Sequence, residues 1–131
     1  MATAPAFIGT PRIGVATVST ANTNRDGTGT IVDIITGAAT GTRILEVVVK
    51  ADGDPADCCV VLYLNNGVSS FVFDEIDLGN PAAGSATVAS YRGTLTYANL
   101  VLPNASWKLQ ASITAAPTAG TVDVFALGGD L

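Results

Sequence analysis

Short runs of β-branched and other apolar residues, separated by clusters of turn-forming residues, occupy nearly the whole of this chain. Gly, Pro, Asn and Asp recur between the runs, so no window long enough for a helix keeps an apolar period of about 3.6 residues. The pattern therefore predicts about eight strands and almost no helix. The predicted strands are Ile13–Ser19, Thr30–Thr36, Thr42–Lys50, Cys58–Leu64, Val68–Leu78, a segment that ends in GTLTYANLVL, Ser106–Thr114 and Thr121–Leu127.

The length of the chain and the spacing of the runs predict a single all-β domain. A chain of 131 residues is long enough for one hydrophobic core and too short for two domains of ordinary size. Strands this short and this regularly spaced are typical of a β-sandwich or a barrel. We predict an antiparallel, jelly-roll-like β-sandwich over residues 13–131.

Residues 1–12 differ from the rest because prolines flank a short apolar pair. Pro5 and Pro11 bracket Phe7 and Ile8, so the segment can be neither helical nor fully paired in a sheet. We predict an extended N-terminal arm whose Phe7 and Ile8 contact a partner; the alternative is a disordered tail, which is common at chain ends. The segment has no basic region followed by a compact apolar block, which predicts that it is not a secretory signal.

Three patterns predict how individual strands are covered and connected. In Ser106–Thr114 apolar and polar residues alternate, which predicts one solvated face and one buried face, the latter with Trp107, Leu109, Ala111 and Ile113. The run Cys58–Leu64 is apolar on both faces, which predicts a central strand covered on its second side as well, with a neighbouring subunit as one candidate cover. Asn66-Gly67 predicts a tight hairpin, since its turn requires positive φ.

Charged residues are scarce in this chain. They make up 13% of it, against about 25% in an ordinary soluble domain, while hydrophobic residues make up 48%. Eleven acids and six bases give a net charge of −5, which predicts no nucleic-acid partner. No basic amphipathic segment is present, which predicts no membrane partner. An uncharged surface of this kind predicts large interfaces between subunits.

The segment DGDPADCC contains the strongest candidate for a metal site. Asp52, Asp54 and Asp57 could supply oxygen ligands to Ca²⁺. Pro55 occupies the middle of the segment, however, and no bidentate Glu follows at the position that an EF-hand loop requires. Asp-Gly and Asp-Pro favour a turn between strands. We therefore predict a turn and no metal or cofactor, with a cation at these three carboxylates as the alternative.

Residue types that support catalysis are missing or poorly placed. Cys58 and Cys59 are adjacent, so a strand points them to opposite faces, and without His they cannot complete a zinc site. The glycine-rich segment 24–30 precedes a strand rather than a helix, which favours a hairpin connection over a phosphate site. Lys50 and Lys108 lie in no catalytic motif, and no His can act as a general base. We predict no catalytic residues and no enzymatic activity.

Three segments carry a resemblance to a known group of proteins. They are the proline-containing arm, the stretch IGVATVSTANTNRDGTGTIVDIITG and the terminal VFALGGDL, of which TANTNRDGTGT and GGDL are the most distinctive. Together they resemble small β-sandwich virion proteins of tailed bacteriophages, of the capsid decoration (cement) type. The resemblance implies a homotrimer on the outer capsid surface that binds the major capsid protein and bridges capsomers. It also implies assembly in the host cytoplasm, and it supplies no catalytic residues.

Other roles of the same fold stay open at this point. One is a different virion component, such as a head fibre, a spike or a tail protein. Another is a module that binds glycans, which requires an exposed aromatic ring on which a sugar can stack. Trp107 alternates onto the apolar face of its strand, and Tyr91 is the aromatic residue that the sequence places in a loop. Tyr91 is therefore the residue on which a glycan site would depend.

Overall fold

The computed structural model describes residues 8–79 and 81–131, in which all regular structure is strand. This confirms the all-β prediction. In the described part of the chain, no helix has the length and hydropathy needed to cross a membrane. Phe7 lies outside the described residues. The strands are β1 (Thr10–Val18), β2 (Val32–Thr36), β3 (Thr42–Ala51), β4 (Cys59–Asn65), β5 (Ser70–Asp77), β6 (Arg92–Leu102), β7 (Lys108–Ile113) and β8 (Val122–Asp130).

The strands form two four-stranded sheets packed face to face. The first sheet has the order β1-β8-β3-β6 and the second β2-β7-β4-β5, and every neighbouring pair is antiparallel. The pairs β1–β8, β2–β7, β3–β6 and β4–β5 are those of an eight-stranded jelly roll, in which a long antiparallel ribbon is wrapped into a sandwich. The predicted sandwich is therefore confirmed, and its order is that of a jelly roll.

The hydrophobic core lies between the two sheets and is built from the inward residues of the central strands. Val47 and Val49 of β3 face Val60 and Leu62 of β4 across it, and all four are fully buried. The predicted apolar face of β7 is confirmed, because its inward residues Leu109, Ala111 and Ile113 are buried in this core and Trp107 packs against it. β-branched residues suit this site, since their side chains pack well on a pleated surface.

The boundary between the arm and the sandwich lies earlier than predicted. β1 begins at Thr10 rather than Ile13, so residues 10–12 pair with β8, and Pro11 stands opposite Gly129. An edge strand tolerates Pro because one of its sides needs no hydrogen-bond donor. β1 is such an edge strand.

The loop of residues 19–31 is a crossing between sheets, and the predicted hairpin connection is wrong. It leads from β1 in the first sheet to β2 in the second. On its way it lies over the outer face of the second sheet, where the Asn24 carbonyl accepts a hydrogen bond of 3.3 Å from the Tyr63 hydroxyl. Arg25 forms an ion pair with Glu75 of β5. The two sheets are thus connected by a segment that also covers one of them.

This loop bears on two further expectations about the second sheet, of which one is confirmed and one is corrected. Tyr63 of β4 is fully buried on the outer side, so the doubly covered central strand is confirmed, with the chain's own loop as its cover. The outer face of β7 is less solvated than predicted, because Gln110 and Ser112 are buried as well. Ser112 shares a hydrogen bond of 3.0 Å with the Tyr63 hydroxyl, and Gln110 donates to Asp33 over 2.7 Å. Buried polar groups are tolerated where they are paired in this way.

The side chain of Asn22 organises the loop from within. Its amide nitrogen donates to the carbonyl oxygens of Thr28 and Thr30, each over 3.0 Å, and its carbonyl oxygen accepts from the Asn24 backbone nitrogen. Asn22 is 5% exposed. Gly29 lies directly against it at φ +87°, where a Cβ would meet the Asn22 amide. One side chain therefore satisfies three backbone groups of the loop.

We expect Asn22→Ala to destabilise the fold by about 1–3 kcal/mol, because it removes the buried side chain that hydrogen-bonds the backbone of Asn24, Thr28 and Thr30. Chemical denaturation monitored by Tyr and Trp fluorescence measures this free energy of unfolding. Thr23→Ala is the matched control, since the Thr23 side chain is exposed and makes no hydrogen bond within the described residues. An Asn22 variant as stable as this control would contradict the assigned role.

A polar cluster at one end of the sandwich joins both sheets. Asp130 of β8 accepts hydrogen bonds from Thr42 over 2.8 Å and from Arg12 over 3.0 Å. Arg12 also donates to the carbonyl oxygen of Thr36 in the second sheet, over 2.9 Å. The Thr42 hydrogen bond and then Arg12 hold the pKa of Asp130 below its usual range. A lowered pKa stabilises the folded state above the unfolded value and loses that effect as pH falls.

We expect the melting temperature to fall as the pH is lowered below about 4, and to fall less in Asp130→Asn, since Asn keeps the shape but cannot be protonated. Thermal unfolding followed at a series of pH values measures both slopes. Asp57→Asn is the control, because the Asp57 side chain makes no hydrogen bond within the described ranges. Equal slopes for the Asp130 variant and the unmodified protein would contradict the expectation.

Candidate functional site

The three carboxylates considered as cation ligands, Asp52, Asp54 and Asp57, do not converge on a common site. Asp52 accepts from the backbone nitrogen of Thr121 over 2.6 Å and from its hydroxyl over 3.0 Å, and these bonds lower the pKa of Asp52. Asp54 pairs with Ala119 through the backbone. Across residues 8–79 and 81–131, no three Asp, Glu or Cys side chains come together in a group that could hold a metal ion. The segment between β3 and β4 is therefore held by hydrogen bonds to the loop that precedes β8.

The two cysteines lie on opposite sides of the second sheet and are free thiols. Cys58 is buried in the core, and burial raises its pKa to about 11. Cys59 is half-buried, and desolvation followed by the nearby Asp77 raises its pKa too. A nucleophilic cysteine needs a lowered pKa. Both thiols therefore pack as small apolar side chains.

The small pocket beside β1 offers no reactive group. It is lined by uncharged residues of β1, the crossing loop, β2 and β7, namely Thr17, Val18, Ser19, Thr20, Thr30, Val32, Ser112 and Ile113. None of these side chains titrates near neutral pH. The pocket consequently supplies neither an acid nor a base.

The outer face of the first sheet is the most unusual surface of the molecule. Ile13 and Val15 of β1 point outward and are 73% and 55% exposed, while Gly14 and Ala16 point inward. The strand register places Val15 beside Phe125 and Phe125 beside Val48, which gives an apolar row across three strands. We call the outward residues Ile13, Val15, Leu45, Val48, Phe125 and Leu127 the apolar face.

An apolar row in this position is unexpected for a free sheet. The outward face of an antiparallel sheet is ordinarily polar, with hydrophobic residues on the core side alone. Contiguous exposed apolar surface indicates contact with another molecule. The apolar face is therefore the candidate functional site of this chain.

Basic residues border this face and lack carboxylate partners. The strand register places Lys50 of β3 between Arg92 of β6 and Asp123 of β8, whose carboxylate accepts a hydrogen bond from Thr17. Arg43 lies farther along β3. The other three of the chain's six basic residues form ion pairs elsewhere, as Arg12–Asp130, Arg25–Glu75 and Lys108–Asp33. Within the described residues, Arg43, Lys50 and Arg92 form no ion pair, although Lys50 and Arg43 donate to carbonyl oxygens. The face thus has unpaired positive charge at its margin.

A second apolar surface lies on the opposite edge of the sandwich. β5 is an edge strand of the second sheet. Four apolar side chains in this strand and just before it are exposed, and we call them the β5 patch. They are Val68 (89% exposed), Phe71 (55%), Val72 (40%) and Phe73 (38%). Acidic residues follow directly, and Asp74 accepts a hydrogen bond of 2.9 Å from Tyr97, whose ring lies 5.4 Å from that of Phe73. An exposed apolar edge strand is a site for association with other chains.

Of the two arm residues predicted to contact a partner, only Ile8 is described. It is half-buried and lies over Gly129 of β8 in the same chain. The apolar face and the β5 patch were not predicted. The signal for the β5 patch was the run FVF, which does not alternate, so the run cannot bury all of its large side chains on one face of a strand.

Tyr91 does not provide a platform for a sugar. It is half-buried, packs against the core and donates a hydrogen bond of 3.4 Å to the carbonyl oxygen of Asp77. Burial raises its pKa. A half-buried ring that packs against the core has little free face on which a sugar can stack.

No protein-family model matches the chain, and no curated protein matches it in sequence. Solved structures match it in fold. A chain of the acidic stable capsid structure of Helicobacter pylori bacteriophage KHP30 has a TM-score of 0.59 at 10% identity, over 95% of this chain and 90% of that one. At this identity the match shows the fold alone, and it confirms that the sandwich is of a kind found in a phage capsid.

Two further structures match less closely. A pentameric capsid protein isolated from metagenomic phage sequences has a TM-score of 0.41 at 15% identity, over 89% of this chain and 60% of that one. A chain of the cyanophage Pam1 capsid asymmetric unit has a TM-score of 0.39 at 17% identity, over 98% of this chain and 91% of that one.

We expect Cys58 to resist alkylation in the folded protein at about pH 8, since its thiolate is scarce and its side chain is buried. Cys59 is half-buried and should react before Cys58, but more slowly than an exposed thiol, because its pKa is also raised. Tandem mass spectrometry after timed labelling measures the two rates, because both cysteines lie in the tryptic peptide 51–92 and fragmentation between them assigns the label. Labelling in denaturant is the control in which both react equally fast. Rapid labelling of Cys58 in the folded state would contradict its place in the core.

Proposed function

We propose that this chain is a structural virion protein of the capsid decoration (cement) type. It binds the outer surface of a phage capsid as a homotrimer, contacts the major capsid protein and stabilises the shell by bridging neighbouring capsomers. It assembles on the particle in the host cytoplasm and needs no cofactor. The observation that carries the proposal is the exposed apolar face on a jelly roll of the kind found in a phage capsid.

The two outer faces of the sandwich support a protein whose role is association. The crossing loop covers β4 on the outer face of the second sheet and buries Tyr63, whereas the first sheet keeps Ile13 and Val15 exposed. Association through apolar and small uncharged residues avoids the cost of desolvating ions. Weak contacts of this kind become effective when many copies bind one shell at once, because each bound copy raises the effective concentration for the next contact.

The sequence resemblance favours decoration over the other virion roles. It lies in the arm, in the crossing loop and in the terminal VFALGGDL. Most polar side chains of the crossing loop are exposed, among them those of Thr23, Asn24 and Arg25. A glycan-binding role loses its main support with the packing of Tyr91 against the core.

We expect particles that lack this protein to release their genome at a lower temperature, and we expect the purified protein to restore the wild-type temperature when it is added back. Dye-accessible DNA during a temperature ramp measures the release, and the same protein after heat denaturation is the control. A decoration trimer at each three-fold position gives about one copy per capsid subunit.

The copy number separates decoration from the remaining virion roles. Quantitative mass spectrometry of purified virions compares this chain with the major capsid protein. A head fibre, spike or tail component would be present in only a few copies per particle. That result, or particles equally heat-stable without the protein, would contradict the proposal.

A further inference from the structure

We propose that copies of this chain join head to tail, with the β5 patch of one copy packed on the apolar face of the next, and that repetition of this contact closes a ring. The inference deepens the proposed function, on which it rests for the trimeric size of the ring. The occupant of the apolar face is thereby a second copy of the same chain. Each copy contributes both surfaces once, and a closed ring leaves neither exposed.

The first support is that the molecule carries two apolar surfaces of different shape. The apolar face is a broad sheet surface formed by β1, β8 and β3. The β5 patch is narrow and lies at an edge, with Val68 of the adjoining turn 89% exposed. A contact between two identical surfaces would use only one of them and leave the other exposed to water. A contact between the two different surfaces covers both.

The second support is the position of the two surfaces in the fold. β1 lies at one end of the first sheet, and β5 lies at the opposite end of the second. β1 packs against β2, so the two ends are separated by the width of the sandwich. Two complementary surfaces on different sides of a subunit place the next subunit beside it rather than on top of it. Repetition of such a step by a fixed rotation generates a ring when the rotation closes.

The third support is the charge at the margins of the two surfaces. The apolar face is bordered by Arg43, Lys50 and Arg92, which have no carboxylate partner within the described residues. The β5 patch continues into the acidic residues Asp74, Glu75 and Asp77, of which only Glu75 forms an ion pair in the part of the chain that the structure describes. The proposed contact brings unpaired bases to unpaired acids, and complementary charge of this kind fixes orientation and partner choice.

The same charges disfavour contacts between identical surfaces. Two apolar faces packed on each other would bring their unpaired bases together, with only Glu46 and Asp123 as acids in the rows of that face. Two β5 patches would bring their acidic residues together. Like charges across an interface oppose association. The head-to-tail arrangement is the one in which both margins find opposite charge.

The test uses one variant of each surface and a mixture of the two. Ile13→Glu disrupts the apolar face and leaves the β5 patch intact, and Phe71→Glu does the reverse; both residues are mostly exposed, so the fold is retained. Size-exclusion chromatography with light scattering measures the mass. We expect each variant alone to be monomeric, at about one third of the mass of the wild-type ring.

The mixture distinguishes a head-to-tail contact from all others. An equimolar mixture still contains one intact apolar face and one intact β5 patch, so we expect a 1:1 heterodimer and nothing larger. The measurement is made where the wild type is fully assembled and at about tenfold higher concentration, because one contact binds more weakly than a closed ring. Val88→Glu, on a residue 45% exposed in the loop between β5 and β6, is the control and keeps the wild-type mass.

Several outcomes would overturn the inference. It fails if either variant alone keeps the wild-type mass, or if both are monomeric and do not combine at either concentration. It also fails if the wild type is a monomer. A monomer that still saturates capsids at one copy per subunit would leave the proposed function standing, whereas a ring that does not bind capsids would leave the head-to-tail contact standing without that function.

Discussion

The two outer faces of this sandwich are covered unequally, and the rest of the structure depends on that difference. Two packed sheets bury their inner faces against each other, but each outer face needs water, polar groups or further protein. The second sheet receives a cover from the crossing loop, which buries Tyr63 completely. Within residues 8–79 and 81–131, the first sheet receives none over Ile13 and Val15. Each square ångström of apolar surface that stays exposed costs about 25 cal/mol relative to burial, so this face gains from any apolar cover.

The crossing loop shows why a polar segment can serve as a cover. Its carbonyl groups would be unsatisfied on an apolar surface, and Asn22 supplies the missing donors. Gly27 and Gly29 adopt positive φ, and a Cβ at Gly27 would collide with the carbonyl oxygen of Ser70. Glycine at position 27 therefore lets the backbone approach β5 closely, and glycine at position 29 leaves room for the Asn22 side chain. The segment that the sequence indicated as a glycine-rich hairpin connection is thus a layer that covers part of the second sheet.

Strand content and most strand positions could be predicted from the sequence, because turn residues divide the chain at short and regular intervals. The hairpin between β4 and β5 also follows from local chemistry, but its loop is the four residues 66–69 rather than the predicted tight turn. Gly67 has φ +98°, Asn66 does not adopt positive φ, and the Asn66 side chain accepts hydrogen bonds from the backbone nitrogens of Val68 and Ser69. These features depend on neighbours in sequence. Local patterns specify them without knowledge of the fold.

Features that depend on tertiary contacts could not be predicted in the same way. In IGVATV the larger residues Ile13 and Val15 alternate with Gly14 and Ala16, and side-chain size taken alone would place the large ones on the core side. The structure points them outward, because β1 approaches β2 so closely that a Cβ on Gly14 would lie 2.5 Å from the carbonyl oxygen of Ile34. Side-chain size thus indicated the wrong face, since close packing of two edge strands selects the small residues.

The distribution of the basic residues joins the folding of the single chain to its association. Arg12, Arg25 and Lys108 have carboxylate partners that tie strands or loops together within the chain. Arg43, Lys50 and Arg92 border the apolar face, which the described residues leave exposed at Ile13 and Val15. Because the chain has a net charge of −5, each copy has more acidic than basic residues, so a neighbouring copy can supply carboxylates to these bases. Apolar burial then supplies the free energy of association, while a few bases decide which surface of the next copy is accepted.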